Sequence, residues 1–119
     1  MAASPPAIHH AAKSGDLEGL KKLIADGHDV HSTWHETGET PLHVAASEGQ
    51  LECLRLLLEK SGDPNKGDED GETPVYGAAK RGHVDCLRVL LEKGGDANKA
   101  DEDGGTPVYG AAHDGHVDC

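Results

Sequence analysis

Apolar residues along the chain recur at helical spacing and are separated by polar, glycine-bearing stretches. Between residues 51 and 59 they include Leu51, Leu54 and Leu57, which lie on one face of a helix, while charged residues occupy the opposite face. The stretch from 84 to 91 repeats this arrangement. Each pattern predicts an amphipathic α-helix with one buried face and one solvated face.

A shorter helix is predicted before each amphipathic one. A Thr-Pro pair marks its start, because threonine is a favoured N-cap residue and proline is tolerated at the first helical position. A glycine marks its end, because glycine readily adopts the left-handed conformation that terminates helices. The Thr-Pro pairs lie at 40–41, 73–74 and 106–107, and the glycines are Gly49, Gly82 and Gly115.

These signals return every 33 residues. Residues 39–71 and 72–104 align without a gap and are identical at 21 of 33 positions. We expect one domain over residues 1–119, with a divergent first unit at about 5–38 and a truncated last unit at 105–119. Because one helix pair cannot bury both of its apolar sides, the units must stack and share a continuous core.

Two stretches of the best-formed unit resemble the ankyrin repeat. They are Gly38 to Gly49 (GETPLHVAASEG) and Leu56 to Asn65 (LLLEKSGDPN). The resemblance implies an all-α ankyrin-repeat solenoid of stacked helix-turn-helix units with protruding β-turn or hairpin loops, which we call fingers. It also implies that His43 hydrogen-bonds to the backbone of a loop. The Thr-Pro-Val-Tyr-Gly of two later units departs from the family pattern and puts glycine inside their first helices, at a cost of about 1 kcal/mol each relative to alanine.

The resemblance further implies a protein–protein interaction module, an adaptor or scaffold, whose concave face is lined by the finger tips and the exposed residues of the first helices. Trp34, on the one lengthened loop, is either an aromatic anchor for the partner or packs against its own loop. The other residues that align with this face are Lys13, Ser14, Glu36, Glu39, Ser47, Glu48, Glu69, Asp70, Glu72, Lys80, Arg81, Glu102, Asp103, His113 and Asp114.

The charge balance indicates the kind of partner. The chain has 22 acidic and 11 basic residues and a formal net charge of −11. This charge argues against binding to nucleic acids or to anionic membranes, and it favours basic protein surfaces. The Asp-Glu-Asp runs at 68–70 and 101–103 fall at matching finger positions, so we expect a negative ridge that steers a basic segment and weakens with salt.

No enzyme signature is present, and we expect no catalysis and no cofactor. The sequence has no phosphate-binding loop, no dinucleotide-binding glycine motif, no His-Glu-x-x-His and no Gly-x-Ser-x-Gly. Cys53, Cys86 and Cys119 occupy equivalent apolar positions, too far apart for disulfides. Cys53 and Cys86 are therefore expected to be small buried hydrophobes, whereas the truncation of the last unit is expected to expose Cys119.

The nine histidines suggest structural roles rather than a metal site. His28, His31 and His35 have spacings of three and four, but they fall in a turn and a finger where no regular helix aligns them, so no metal is expected. We predict that two histidines after the midpoint glycines stabilise turns and that two at the start of the first unit are partly solvated. These are His83 and His116, and His9 and His10.

A modification site is also implied by the resemblance. Asn65 and Asn98 each follow a Gly-Asp-x sequence, with Leu57 and Leu90 eight residues earlier. This arrangement resembles the sites hydroxylated by asparaginyl hydroxylases in many ankyrin repeats. The alternative needs no enzyme, because the same asparagines are expected to stabilise the turn through hydrogen bonds to the backbone.

The ends of the chain indicate its context. The first residues contain no secretory signal, so a reducing compartment, the cytoplasm or nucleus, is expected. The repeat stops at Cys119 without a capping unit, so we expect a fragment of a longer array, monomeric but able to associate through its exposed C-terminal stacking face. Two alternatives remain: a structural spacer or self-associating solenoid, or the ankyrin part of a larger regulatory protein, channel or enzyme.

Overall fold

The computed structural model describes residues 5–99 and 103–106. The described residues form six helices and no strand. None of these helices is both long enough and apolar enough to cross a membrane. The helices are α1 (Ala7–Ser14), α2 (Leu17–Ala25), α3 (Pro41–Glu48), α4 (Leu51–Glu59), α5 (Pro74–Lys80) and α6 (Val84–Glu92).

The helices are arranged as three consecutive pairs that stack in two rows. The first helices of the pairs, α1, α3 and α5, pack against one another in order, and α2, α4 and α6 form the second row. Each first helix also packs against the second helix of its own pair. The architecture is the all-α solenoid that the repeat predicted.

The helix termini follow the sequence signals. The hydroxyl oxygens of Thr40 and Thr73 accept hydrogen bonds from backbone N–H groups in the first turns of α3 and α5, and a proline follows each threonine. Gly49 ends α3 in the left-handed conformation, with φ of 71°. Helix α5 ends at Lys80, and the left-handed glycine, Gly82, follows two residues later. The predictions at Pro107, Gly110 and Gly115 lie outside the described residues.

The core consists of small aliphatic side chains shared between the units. Leu42, Ala45, Leu54 and Leu57 are among its fully buried members. The prediction that two of the cysteines are small buried hydrophobes is confirmed, because Cys53 and Cys86 are each 1% exposed. Burial raises the pKa of both thiols, that of Cys86 to about 11, so both are protonated near neutral pH. Cys119 lies outside the described residues.

The glycine inside α5 has a packing role that the sequence did not reveal. A Cβ atom added to Gly77 would lie 2.6 Å from Oγ of Ser47 on α3. The absence of a side chain therefore allows the two first helices to approach closely. The lower helix propensity of glycine is partly offset by this contact between units.

Polar side chains also join successive units. Nε2 of His83 donates a hydrogen bond to the carbonyl oxygen of Ser47, at 2.9 Å. The ring of His83 thus reaches the last turn of α3 in the preceding unit, a contact between units that the predicted turn-stabilising role did not include. The side-chain amide of Asn65 donates to the carbonyl of Gly94, and its oxygen accepts from the backbone N–H of Asp96. His116 lies outside the described residues.

Candidate partner-binding groove

Two fingers project from the described part of the stack. The first is closed by a hydrogen bond from the backbone N–H of Trp34 to the carbonyl of Glu39, at 2.9 Å. The second is closed by the equivalent bond from Asp68 to Glu72, also at 2.9 Å. The two fingers are therefore built on the same backbone plan.

Adjacent fingers are joined to each other. The backbone N–H of Glu69 donates to the carbonyl of Thr37 in the preceding finger, at 3.0 Å. In the second finger, the Asp68 carboxylate also accepts hydrogen bonds from the backbone N–H groups of Asp70 and Glu72. This network holds the acidic tip of the second finger in one conformation before any partner arrives.

Trp34 takes the place in the first finger that Asp68 has in the second. An indole cannot accept these backbone hydrogen bonds, and the hydroxyl of Thr37 instead accepts from the backbone N–H of Glu39, at 3.2 Å. The Trp34 side chain is half-buried. Its ring nitrogen is buried and has no hydrogen-bond partner in the part of the chain that the structure describes.

Histidines fasten each finger to the first helix of the preceding pair. Nε2 of His9 lies 2.7 Å from the carbonyl oxygen of Glu39, and Nε2 of His43 lies 3.0 Å from that of Glu72. Because a carbonyl oxygen only accepts, Nε2 carries the proton in both rings. The predicted bond from His43 to a loop backbone is thus confirmed.

Both of these rings are buried. His9 is 1% exposed, so the prediction that it is partly solvated is wrong, whereas His10 on the same helix is exposed. The prediction failed because adjacent residues of a helix point in directions about 100° apart, so His9 faces the base of the finger while His10 faces solvent. Burial lowers the pKa of His9 and of His43, which outweighs the hydrogen bonds to carbonyls and the nearby carboxylates that raise it.

A groove of about 390 Å³ lies between the finger bases and the exposed side of the first helices. It brings together eight of the residues predicted for the concave face, namely Lys13, Trp34, Glu39, Ser47, Glu48, Glu72, Lys80 and Arg81. Four further residues complete its lining. They are Pro5, His9, Val44 and Gly77.

The lining residues that sequence reasoning missed had a detectable signal in the repeat. Val44 and Gly77 occupy equivalent positions in their first helices, 33 residues apart, and both line the groove. Aligning the units would therefore have identified them as a pair. His9 and Pro5 were missed because the first unit diverges from the others.

The remaining predicted residues lie elsewhere. Glu36, Glu69 and Asp70 are exposed in the fingers beyond the groove, and Asp103, at the repeat position equivalent to Asp70, is also exposed. The hydroxyl of Ser14 donates to a carbonyl within its own helix, that of His10. The predicted residues Glu102, His113 and Asp114 lie outside the described residues.

Charge is divided over this surface. The tips are acidic, whereas the groove is lined by three carboxylates and three basic side chains, Lys13, Lys80 and Arg81. Among the described residues, one ion pair is present, and it lies on α2, away from the groove. Nζ of Lys21 is 3.5 Å from Oε1 of Glu18. The basic side chains of the groove therefore form no ion pair with any described residue.

The described residues hold no cluster of three or more histidine, cysteine or acidic side chains that could bind a metal ion. In the turn after α2, the backbone N–H of His31 donates to the Asp29 carboxylate, and the His28, His31 and His35 side chains are exposed. The groove is thus a surface of complementary charges and hydrogen-bonding groups.

Comparison with known sequences agrees with this architecture. The sequence profile of the ankyrin repeats, three copies long, matches residues 8–101 and 61–119. The chain belongs to the ankyrin repeat family. Ankyrin repeats are protein-binding modules.

The curated relatives share the repeats but differ in kind. The chain is 41% identical to mouse protein phosphatase 1 regulatory subunit 27 over 64 residues, which cover 54% of this chain and 41% of that protein. It is 38% identical to human DNA-binding protein RFXANK over 58 residues, 49% of this chain and 22% of the relative. It is 34% identical to human transient receptor potential cation channel subfamily A member 1 over 59 residues, 49% of this chain and 5% of the channel. The matches span less than half the length of these relatives.

Proposed function

We propose that this ankyrin chain is a non-catalytic adaptor or scaffold that binds a partner protein through its fingers and groove. A basic segment of the partner contacts the acidic tips, which include Glu69 and Asp70. The observation that carries the proposal is the groove itself, where Lys80 and Arg81 face a cavity without an ion-pair partner among the described residues. Charged groups left unpaired at a concave surface are available to a partner.

The division of charge orients that partner. Acidic finger tips attract basic side chains, while Lys80 and Arg81 at the end of α5 attract an acidic group. A segment that carries lysine or arginine beside a single carboxylate therefore fits better than a uniformly basic one. The opposite orientation would place like charges together, which disfavours it.

The surface is ordered before binding. The bonds from His9 and His43 to the finger bases, and the bond between Glu69 and Thr37, fix the fingers relative to the helices. A surface ordered in advance loses little conformational entropy on binding. Many modest contacts can therefore give useful affinity.

The first test uses a fluorescent lysine-rich peptide that contains one glutamate, together with two charge-reversed variants. Glu69→Lys with Asp70→Lys changes the finger tip, and Glu59→Lys with Glu92→Lys makes the same charge change on the second helices, away from the groove lining. Because all four side chains are exposed, both variants should fold. We expect the tip variant to lose at least about tenfold in affinity and the parent to weaken with salt. Equal losses in the two variants would refute the tip as the contact.

One relative suggests a specific partner to test. About half of this chain is similar to a regulatory subunit of protein phosphatase 1, so the catalytic subunit of that phosphatase is a candidate partner. Binding of the purified catalytic subunit to the parent, and its loss in the Glu69→Lys, Asp70→Lys variant, would support it. If the catalytic subunit does not bind, this candidate partner is rejected, and the proposal of a basic partner segment is then decided by the peptide test.

The alternative roles are a self-associating solenoid or spacer, and the ankyrin part of a larger regulatory protein, channel or enzyme. Leu91 is the exposed large apolar side chain of the described residues, at 40% exposure. One such residue is common on monomeric surfaces, so the binding role is better supported. Sedimentation velocity tests the self-associating role. That role predicts oligomers whose amount rises with protein concentration and which disappear when further repeats are added at the C-terminus.

We also propose that Asn65 and Asn98 are substrates of an asparaginyl hydroxylase. The side chain of Asn65 is bonded to Gly94 and Asp96 of the next unit, so an enzyme must open this contact first. Incubation with such a hydroxylase, followed by mass spectrometry, should find one added oxygen atom on each asparagine. Unmodified peptides from a chain that the enzyme binds would refute this proposal.

A further inference from the structure

At one end of the groove, two lining residues each carry a buried nitrogen atom that lacks a hydrogen-bond partner among the described residues. The two atoms are Nδ1 of His9 and the indole Nε1 of Trp34. Both residues line the groove. They are neighbours, because the carbonyl oxygen of Glu39 accepts from Nε2 of His9 at 2.7 Å and from the backbone N–H of Trp34 at 2.9 Å.

The repeat shows why the His9 nitrogen lacks a partner. In the next unit, Nδ1 of His43 accepts a hydrogen bond from the backbone N–H of Thr40 at 3.0 Å, and it lies 2.8 Å from the Thr40 hydroxyl. Pro6 occupies the equivalent N-cap position of α1. Proline has neither an N–H nor a hydroxyl to donate, so Nδ1 of His9 has lost both partners.

The Trp34 nitrogen lacks a partner for a similar reason. The equivalent residue of the second finger, Asp68, directs its side chain back onto the finger backbone. The larger indole lies in the groove wall instead, half-buried. Two substitutions in one unit, proline for threonine and tryptophan for aspartate, have thus left an unsatisfied polar group on each of two neighbouring residues of the groove wall.

The two nitrogen atoms have opposite requirements. Nε2 of His9 donates to Glu39, so Nδ1 carries a lone pair and requires a donor. The indole N–H of Trp34 requires an acceptor. A carboxylate would place its lone pairs against Nδ1, and an ammonium group would place its protons against the indole N–H. A neutral group that both donates and accepts satisfies both atoms.

We infer that this end of the groove is a subsite for the carboxamide of an asparagine or glutamine in the bound partner segment. A carboxamide carries its donor and its acceptor on different atoms, so it can reach His9 and Trp34 simultaneously. A hydroxyl or a water molecule must serve both through one oxygen. Because both nitrogen atoms are buried, the inference requires the half-buried indole to turn aside as the carboxamide enters. The inference rests on the proposed function, since it assumes that the partner occupies this groove.

The test uses acetamide as the probe and nitrogen-15 NMR as the measurement. Trp34 is the one tryptophan of the chain, so its indole N–H gives a single assigned signal. We expect acetamide to shift this signal and that of His9 Nδ1 saturably, whereas sodium acetate, methylammonium chloride and ethanol do not. Equal shifts with ethanol, or no saturable shift with acetamide, would overturn the carboxamide assignment.

Three variants separate the subsite from a general effect on the fold. Pro6→Thr restores the donors that His43 has, so it should stabilise α1 and weaken acetamide binding by about tenfold. Trp34→Phe keeps a ring but removes the N–H, and the His9 signal should then respond about tenfold more weakly. His10→Gln is the control, because this exposed neighbour on α1 does not line the groove.

If Pro6→Thr binds acetamide as the parent does, the inference is wrong. The probe experiment contains no partner, so its failure leaves the peptide affinities untouched. Conversely, a lysine-rich peptide that ignores the finger tips would refute the proposed function without changing the acetamide result.

Discussion

At the scale of single residues, the same side chain performs different tasks in successive units. His43 is bonded at both ring nitrogens, to the N-cap threonine and to the next finger, whereas His9 is bonded at one. The difference follows from one residue, Pro6 in place of Thr40. A binding subsite can thus arise where a structural hydrogen bond has been lost.

The buried histidines predict that the chain loses stability in mild acid. Burial holds the pKa of His9 and His43 below the ordinary value of 6.5, so the unfolded chain takes up protons that the folded chain refuses. The stabilisation is complete above about pH 6.5 and declines as the pH falls from there towards the lowered values of the folded state. Protonated Nδ1 of His43 would also face the Thr40 N–H donor.

Urea unfolding at about pH 7.5 and about pH 5.5 checks this prediction. We expect a lower midpoint at the lower pH and a smaller difference in the His43→Gln variant. The His10→Gln variant serves as the control and should behave as the parent. A midpoint that is unchanged or higher at the lower pH would contradict the assignment of neutral buried rings.

The side chain of Asn65 gives a second residue-scale prediction. In Asn65→Asp, the bond from Asp96 can persist, but the donor to the Gly94 carbonyl is replaced by an oxygen. We expect the free energy of unfolding to fall by about 1–2 kcal/mol. In Asp63→Asn, the side-chain oxygen still accepts from the Asn65 backbone N–H, so this control should change little. Comparable losses in both variants would argue against the contact between units.

At the scale of elements, the first helices determine both the packing of the stack and the shape of the groove. Val44 and Gly77, which occupy equivalent positions in α3 and α5, line the groove. Gly77 also determines how closely α5 approaches α3. Packing and binding surface are therefore not independent. A side chain added at Gly77 would alter both.

The Gly77 contact predicts a coupling between two substitutions. Gly77→Ala alone should give no gain in stability, because its Cβ would lie 2.6 Å from the Ser47 hydroxyl oxygen. In a Ser47→Ala background the Cβ of residue 47 would lie 3.8 Å from the added Cβ, an ordinary van der Waals distance, and Gly77→Ala should then stabilise by up to about 1 kcal/mol through helix propensity. A double-mutant cycle measures this, and simple additivity would contradict the contact.

The sequence predicted the helices well and the contacts between units poorly. The helix signals are the Thr-Pro pairs, the glycines and the leucine spacing, which depend on local backbone preferences. They predicted the start of α3 after Thr40 and its end at Gly49, as observed. The bond from His83 to Ser47 and the burial of His9 depend on how one unit sits on the next, which no local signal encodes. The same limit applies to the groove. The sequence predicted which basic residues belong to this face, but it did not predict that they lie apart from the acidic finger tips.

At the scale of the whole molecule, the units form a stack whose fingers and first helices make one continuous surface. Core residues, inter-unit histidines and Asn65 hold the stack together, and Lys80 and Arg81 in the groove form no ion pair with any described residue. The central claim is that this face, and not the row of second helices, binds the partner.

The most direct measurement of that claim is chemical-shift mapping on the nitrogen-15-labelled chain as a lysine-rich peptide is added. We expect amide shifts to concentrate at the finger tip around Glu69 and along the groove at Val44 and Gly77, and we expect Glu69→Lys with Asp70→Lys to abolish them. Shifts confined to α2, α4 and α6, or a pattern that survives the charge reversal, would contradict it.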